Sequence, residues 1–158
     1  MPQTRRSKAQ IVEPKHFDRA AHLLKLASKA TARAMQDRLA EHSVAYGHWT
    51  FLRILWREEG LSVTELSKRA SVAKPATVAA IRSMEELGYV RRRKSDENQK
   101  NVYIDITSSG RALERILVPL ALEVNDLAMR GISRANQKIF KDALIAVIGN
   151  LETEETPK

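Results

Sequence analysis

Arg91, Arg92, Arg93 and Lys94 stand side by side, and Arg5, Arg6 and Lys8 form a second basic cluster. Of the 27 positive residues 16 are Arg, whose planar fork suits phosphate and guanine better than an ammonium does. Only 19 Asp and Glu oppose them, leaving a net charge of +8, which points to an anionic partner. Other chemistries lack their residues. With 0 Cys there is no disulfide scaffold, thiolate metal site, thiol nucleophile or cysteine redox switch. The histidines, His16, His22, His42 and His48, lack the paired spacing of a zinc site. Even if His22 met His48, with Asp18 or Glu41 beside them, no repeated ligand pattern would result, so no metal and no cofactor is expected. Glu58-Glu59 and Glu85-Glu86 read as solubilising charge on helix exteriors. Neither a Gly-rich phosphate loop nor a serine-nucleophile elbow occurs, so the chain is not expected to be an enzyme.

The elements that must carry these cations follow from periodicity. At 158 residues the chain fits one domain, or one unit with two lobes. No apolar run approaches the ~18 residues that span a bilayer, and Met1 to Gln10 is polar and basic, unlike a secretory signal, so a cytoplasmic location is expected. Pro14 opens a helix, and Phe17, Ala20, Leu24, Ala27, Thr31, Met35 and Leu39 describe one face of it between His16 and Ala40. Trp49, Leu52, Leu55 and Trp56 mark a second helix ending near Gly60. Ser62 and Glu65 have the spacing of a capping box for a short helix with Leu66 and Ala70 inward. Ser71-Val72-Ala73 is a tight turn, and Pro75 stands in the first turn of the next helix. Its inner stripe is Ile81, Met84 and Leu87, completed by Thr77 or Val78, and Gly88 stops it. The period then changes to two. Val102, Ile104 and Ile106 alternate with Tyr103 and Asp105 as a half-buried strand, partnered by Tyr89 to Lys94 across a polar loop from Ser95 to Asn101. Thr107 or Ser108 caps a helix carrying Leu113, Leu117, Leu120, Val124 and Leu127, with a kink expected at Pro119. Gly131 ends it. Ser133 caps a last helix with Phe140, Ala143, Val147 and Leu151 on one side, broadened by Ile139, Leu144 and Ile148.

Two short helices joined by a tight turn, then a basic two-stranded hairpin, describe a winged helix-turn-helix. The second helix enters the major groove, and the hairpin's cations neutralise phosphates nearby. The fold class is therefore mainly α with a small β-hairpin wing: a winged helix-turn-helix DNA-binding lobe plus a helical dimerisation lobe. Residues 46–107 form the DNA-binding region, 16–45 and 108–151 the dimerisation region, 1–15 a disordered basic arm and 152–158 an acidic tail. The basic residues lie on a hairpin rather than on one amphipathic helix, which argues against a membrane-surface role.

The order of elements and several strings resemble the MarR family of bacterial transcriptional regulators, from about Phe17 to Leu151. The strings are Trp49 to Leu55, Leu61-Ser62-Val63-Thr64-Glu65-Leu66, Met84 to Val90, and Val102 to Gly110, where Ile106-Thr107-Ser108-Ser109-Gly110 closes the wing. The resemblance implies a homodimer with interleaved first and last helices, a palindromic operator and a small-molecule pocket between the lobes. Two departures stand out. The family's Asp and Arg near the wing tip are Asn98 and Lys100 here, so the pairing that would fix the arginine is missing. The outer face of the recognition helix, Pro75, Ala76, Ala79, Arg82 and Ser83, has few side chains for hydrogen-bonded readout. Thymine-methyl contacts by Ala76 and Ala79, help from Lys74 and Arg82, and DNA shape are expected to carry specificity. Ser62, Thr64, Arg91, Arg93, Lys94, Asn98, Gln99 and Lys100 complete the expected DNA contacts.

Trp49 and Trp56, seven apart on one helical face, are either core residues or the wall of a pocket for an aromatic ligand. His48, Arg53, Arg19 and His22 are either anchors for a carboxylate or ordinary surface residues, and Tyr46 either donates a phenolic hydrogen bond or simply starts the helix. The expected function is a dimeric repressor released by a small aromatic or phenolic carboxylate or its thioester. The alternative is an architectural DNA-binding protein without an effector.

Overall fold

The computed structural model describes residues 19–95 and 102–153. Among these residues seven helices and three short strands run in the order α1 (Ala20–Ala40), α2 (Tyr46–Leu55), β1 (Leu61–Ser62), α3 (Val63–Ala70), α4 (Lys74–Glu86), β2 (Val90–Lys94), β3 (Val102–Ile106), α5 (Ser108–Ala112), α6 (Glu114–Ala128) and α7 (Arg134–Glu152). Pro14 and Phe17, expected to open the first helix, lie outside the described residues. Among these residues no helix is long and apolar enough to cross a membrane.

Local signals fix the middle of the chain. Ser62 Oγ accepts from the Glu65 amide at 3.2 Å, and the Ser62 amide donates to Glu65 Oε2 at 2.8 Å, so the capping box starts α3. Ser71, left-handed at φ 51, ends it. Gly88 at φ 76 closes α4, with the Gly88 amide bonded to Glu85 O and the Tyr89 amide to Met84 O, the paired bonds of a glycine helix stop. Thr107 caps α5 by accepting from the Gly110 amide, and Ser133 caps α7 by accepting from the Asn136 amide.

The sheet has three strands in the order β1-β3-β2, both pairings antiparallel. The sequence pattern gave only the hairpin of β2 and β3. The two residues of β1 are too few to show a period, and what makes them a strand is their partner, Leu61 opposite Ile104 and Ser62 opposite Tyr103. Phe51, Leu52, Leu55, Leu66, Ile81, Met84 and Ile104 form the core between α2, α3, α4 and the sheet, extended by Leu39 and Leu117.

Several expectations need correction. Leu87 leaves the inner stripe of α4, because it follows the last helical turn and is 49% exposed. Thr77, not Val78, completes that stripe, and its hydroxyl donates to Ala73 O at 3.1 Å. Pro119 lies inside α6, which continues past it. The break falls at Leu113, where the Gly110 carbonyl one turn earlier is held by the Trp56 indole N–H at 3.0 Å. Along α1 only Met35 and Leu39 of the expected face are buried among the described residues. Helix α7 buries no residue at all.

Candidate nucleic-acid interface and adjoining cleft

The turn between α3 and α4 is tied by side chains. Ser67 Oγ donates to Val72 O at 2.7 Å, and Thr77 anchors the first turn of α4. Thr77, Ile81 and Met84 face the core. The opposite face presents a shallow hollow of about 480 Å³ lined by Pro75, Val78, Ala79, Arg82, Ser83 and Glu86. Arg82 Nε donates to Glu86 Oε1 at 3.2 Å, one turn along the helix. Lys74 and Ala76 are exposed but do not line the hollow. Thr64 is exposed in the first turn of α3, whereas the half-buried Ser62 hydroxyl is engaged with Glu65. That contact and the Ser62 amide hold the Glu65 carboxyl below the usual carboxylate range.

All four cations of β2 are exposed, and three of them face carboxylates within the protein. Arg92 pairs with Glu85 at 3.2 Å, Arg93 with Asp105 at 2.8 Å, and Arg91 approaches Asp105 at 3.9 Å. The Arg93 guanidinium also lies 5.5 Å from the Tyr103 ring centre. Alternation placed Asp105 on the outer side of a half-buried strand, yet it is buried. The arginines opposite it on β2 and the turn at Gly60 cover it. The acidic pairs expected only to solubilise hold arginines as well. Glu58 takes Arg69, which lowers the Glu58 pKa, chiefly through their side-chain hydrogen bond, and Glu59 takes Arg111. Water and salt screen exposed pairs of this kind, so they align elements more than they stabilise them. Asn98, Gln99, Lys100 and the basic arm lie outside the described residues.

Behind α2 lies a cleft of about 840 Å³, walled by residues of α1, α2, α6 and α7. Tyr46, Trp49, Arg53 and Trp56 are among its lining. The two indoles meet edge to face at 5.7 Å, and Arg53 lies 5.5 Å from the Trp49 ring centre. Trp49 is therefore both a core residue and a wall of the cleft. Arg19 and His22 do not reach it: they sit exposed at the start of α1. His48 is buried and outside the lining, its Nδ1 has no hydrogen-bond partner among the described residues, and burial lowers its pKa. An exposed His22 and a buried His48 form no pair, and among the described residues no three His, Asp or Glu gather as metal ligands. Sequence reasoning missed Arg57, Glu114, Asn125 and Met129 in the lining. Arg57 was within reach, one turn beyond Arg53. The α6 residues carry no local signal, since only packing brings α6 opposite α2.

Residues 45–102 match the family model described as the MarR family. The chain is 34% identical over 88 residues to the HTH-type transcriptional regulator TtmR of Methylorubrum extorquens, a match covering 56% of this chain and 45% of that regulator, under half its length. Its fold is similar to that of a MarR family regulator of Listeria monocytogenes solved in complex with a 26mer DNA (TM-score 0.79, 19% identity, covering 87% of this chain and 91% of that one). It is also similar to BpsR of Bordetella bronchiseptica, whose DNA binding is regulated by 6-hydroxynicotinic acid (TM-score 0.74, 19% identity, 85% and 98% covered). Residues 45–102 thus match the MarR family model and lie in a winged-helix fold similar to that of solved regulators of this family.

Proposed function

We propose that the chain acts in the cytoplasm as a homodimeric, sequence-specific repressor that leaves DNA when a small aromatic or phenolic carboxylate, or its thioester, binds it. The observation carrying this reading is the position of the cleft. One wall is α2, which packs on α3 and α4, and the others are α1, α6 and α7. An occupant touches both sets and biases the angle between them. A ligand that prefers a dimer with misplaced recognition helices lowers DNA affinity, and DNA lowers the ligand's affinity by the same factor. Trp49 and Tyr46 supply aromatic surface, while Arg53 and Arg57 supply cations for a carboxylate. That an aromatic acid regulates DNA binding in BpsR supports the class of ligand.

The dimer rests on α7, which leaves Ile139, Ile145, Ile148 and Leu151 exposed, beside Leu122 of α6 and Leu23 and Leu26 of α1. Apolar surface of that extent calls for a second copy. Residues 16–45 and 108–151 would dimerise and 46–107 bind DNA, flanked by the basic arm (1–15) and the acidic tail (152–158). Two α4 helices about 34 Å apart would then read a pseudo-palindrome. Lys74, Pro75, Ala76, Ala79, Arg82 and Ser83 would face bases and phosphates. Ser62, Thr64, Arg91, Arg93, Lys94, Asn98, Gln99 and Lys100 would hold the backbone.

A thermal-shift screen of small aromatic acids and thioesters on the full chain, followed by gel shifts, tests the effector. The expected hit raises the melting temperature and weakens DNA binding. A hit that stabilises the protein and leaves DNA binding unchanged overturns the claim. The apolar outer face of α4 favours a second reading, an architectural protein with little sequence preference. Footprinting separates the two, since one protected palindrome supports the repressor and uniform coating supports the alternative.

A further inference from the structure

We propose that Val78 is a specificity-determining residue that reads thymine C5-methyl groups in the major groove. This rests on the DNA-binding reading above and deepens it. Successive residues of α4 turn by about 100°. With Thr77, Ile81 and Met84 inward, the outer hollow is lined by Pro75, Val78, Ala79, Arg82, Ser83 and Glu86. Val78 is 44% exposed there, at the wall of the hollow. Ala76 is exposed but stays outside the hollow, whose apolar lining is Pro75, Val78 and Ala79.

Helix formation does not ask for a valine at this position. A β-branched residue in an exposed helix interior is a poorer helix former than alanine or most polar residues. Polar readout from the same face is restricted, because Glu86 holds Arg82 at 3.2 Å and its carboxylate repels phosphate. The thymine methyl is the apolar feature on the major-groove edges of the base pairs. Two methyls of Val78, beside Ala79 and Pro75 and flanked by Lys74 and Arg82, match a methyl lying between phosphate walls. Arg82 and Lys74 would orient the helix while Val78 discriminates.

The test first selects a preferred duplex from a random pool with the full-length protein. Each thymine of that duplex is then replaced by uracil, which keeps the Watson–Crick pair and removes only the methyl. One or two positions per half-site are expected to lose about three- to tenfold in affinity, the worth of one buried methyl. In Val78→Ala the penalty at those positions should disappear, while other positions and the melting temperature stay as in the parent. A wild-type protein indifferent to uracil at every position overturns the proposal, as does a Val78→Ala variant that keeps the full penalty. If no preferred duplex emerges, sequence-specific DNA reading itself falls and takes the proposal with it, which separates the two failures.

Discussion

Asp105 is a carboxylate held at 6% exposure inside a basic wing, with Arg93 at 2.8 Å and Arg91 at 3.9 Å. A buried charge needs such partners, because without them its desolvation costs more than the fold returns. Asp105→Asn keeps the shape and removes the charge, so urea denaturation should show a loss of about 1–3 kcal/mol. His48 is buried as well. Burial holds its pKa below the ordinary 6.5, and among the described residues Nδ1 has no partner to reward protonation. Native His48 therefore stays neutral at pH values where the unfolded chain has bound a proton. Its contribution leaves stability level above about pH 6.5 and lowers it as pH falls below that value, until the native imidazole also protonates. Melting temperatures between pH 7.5 and 5.5 should show this drop, and His48→Phe should flatten it.

Among the elements, the joint between the wing and α5 is the most constrained. A Cβ on Gly110 would stand 2.1 Å from the Tyr89 carbonyl oxygen and 2.9 Å from the Ile106 side chain. Backbone cannot yield as a flexible side chain can, so Gly110→Ala should cost about 2–4 kcal/mol in chemical denaturation. The same residue's carbonyl receives the Trp56 indole N–H, which links the cleft wall to the root of the wing. Trp56→Phe removes that bond and should cost less than Gly110→Ala, about 1 kcal/mol by the same measurement. A smaller loss for Gly110→Ala than for Trp56→Phe would show that the close approach does not constrain this joint.

The molecule as a whole divides into a well-packed winged-helix centre and an outer layer of helices with apolar faces in the open. Core residues gather on α2, α3, α4 and the sheet, while α7 buries none. One added charge in the middle of the proposed dimer face should disperse the assembly, since an unpaired buried charge is far costlier than an exposed one. Ile148→Asp is expected to shift sedimentation velocity toward a monomer and to cut DNA affinity with it, because two half-sites are then no longer held by one particle. A variant that sediments like the parent would remove α7 from the interface.

The amino-acid sequence by itself determined what depends on neighbours along the chain. The Ser62–Glu65 box, Pro75 in a first turn, the stop at Gly88 and the alternating run from Val102 to Ile106 are all settled within a few residues, and so is the helix-turn-helix with its basic hairpin. Tertiary structure decided what depends on residues far apart. Leu61 becomes a strand because Ile104 lies opposite it, and the helical run breaks at Leu113, a turn beyond the Gly110 carbonyl that Trp56 engages. Asp105 is buried because Arg93 and the turn at Gly60 close over it, against its alternation. Val78 turns outward because Thr77, able to bond its own helix, takes the inner place. The cleft takes Arg57, Glu114 and Asn125 in place of Arg19 and His22 because α6 packs on α1 and faces α2 across it. Hydrophobic period says which face of a helix seeks cover, and only the packed chain says which element covers it.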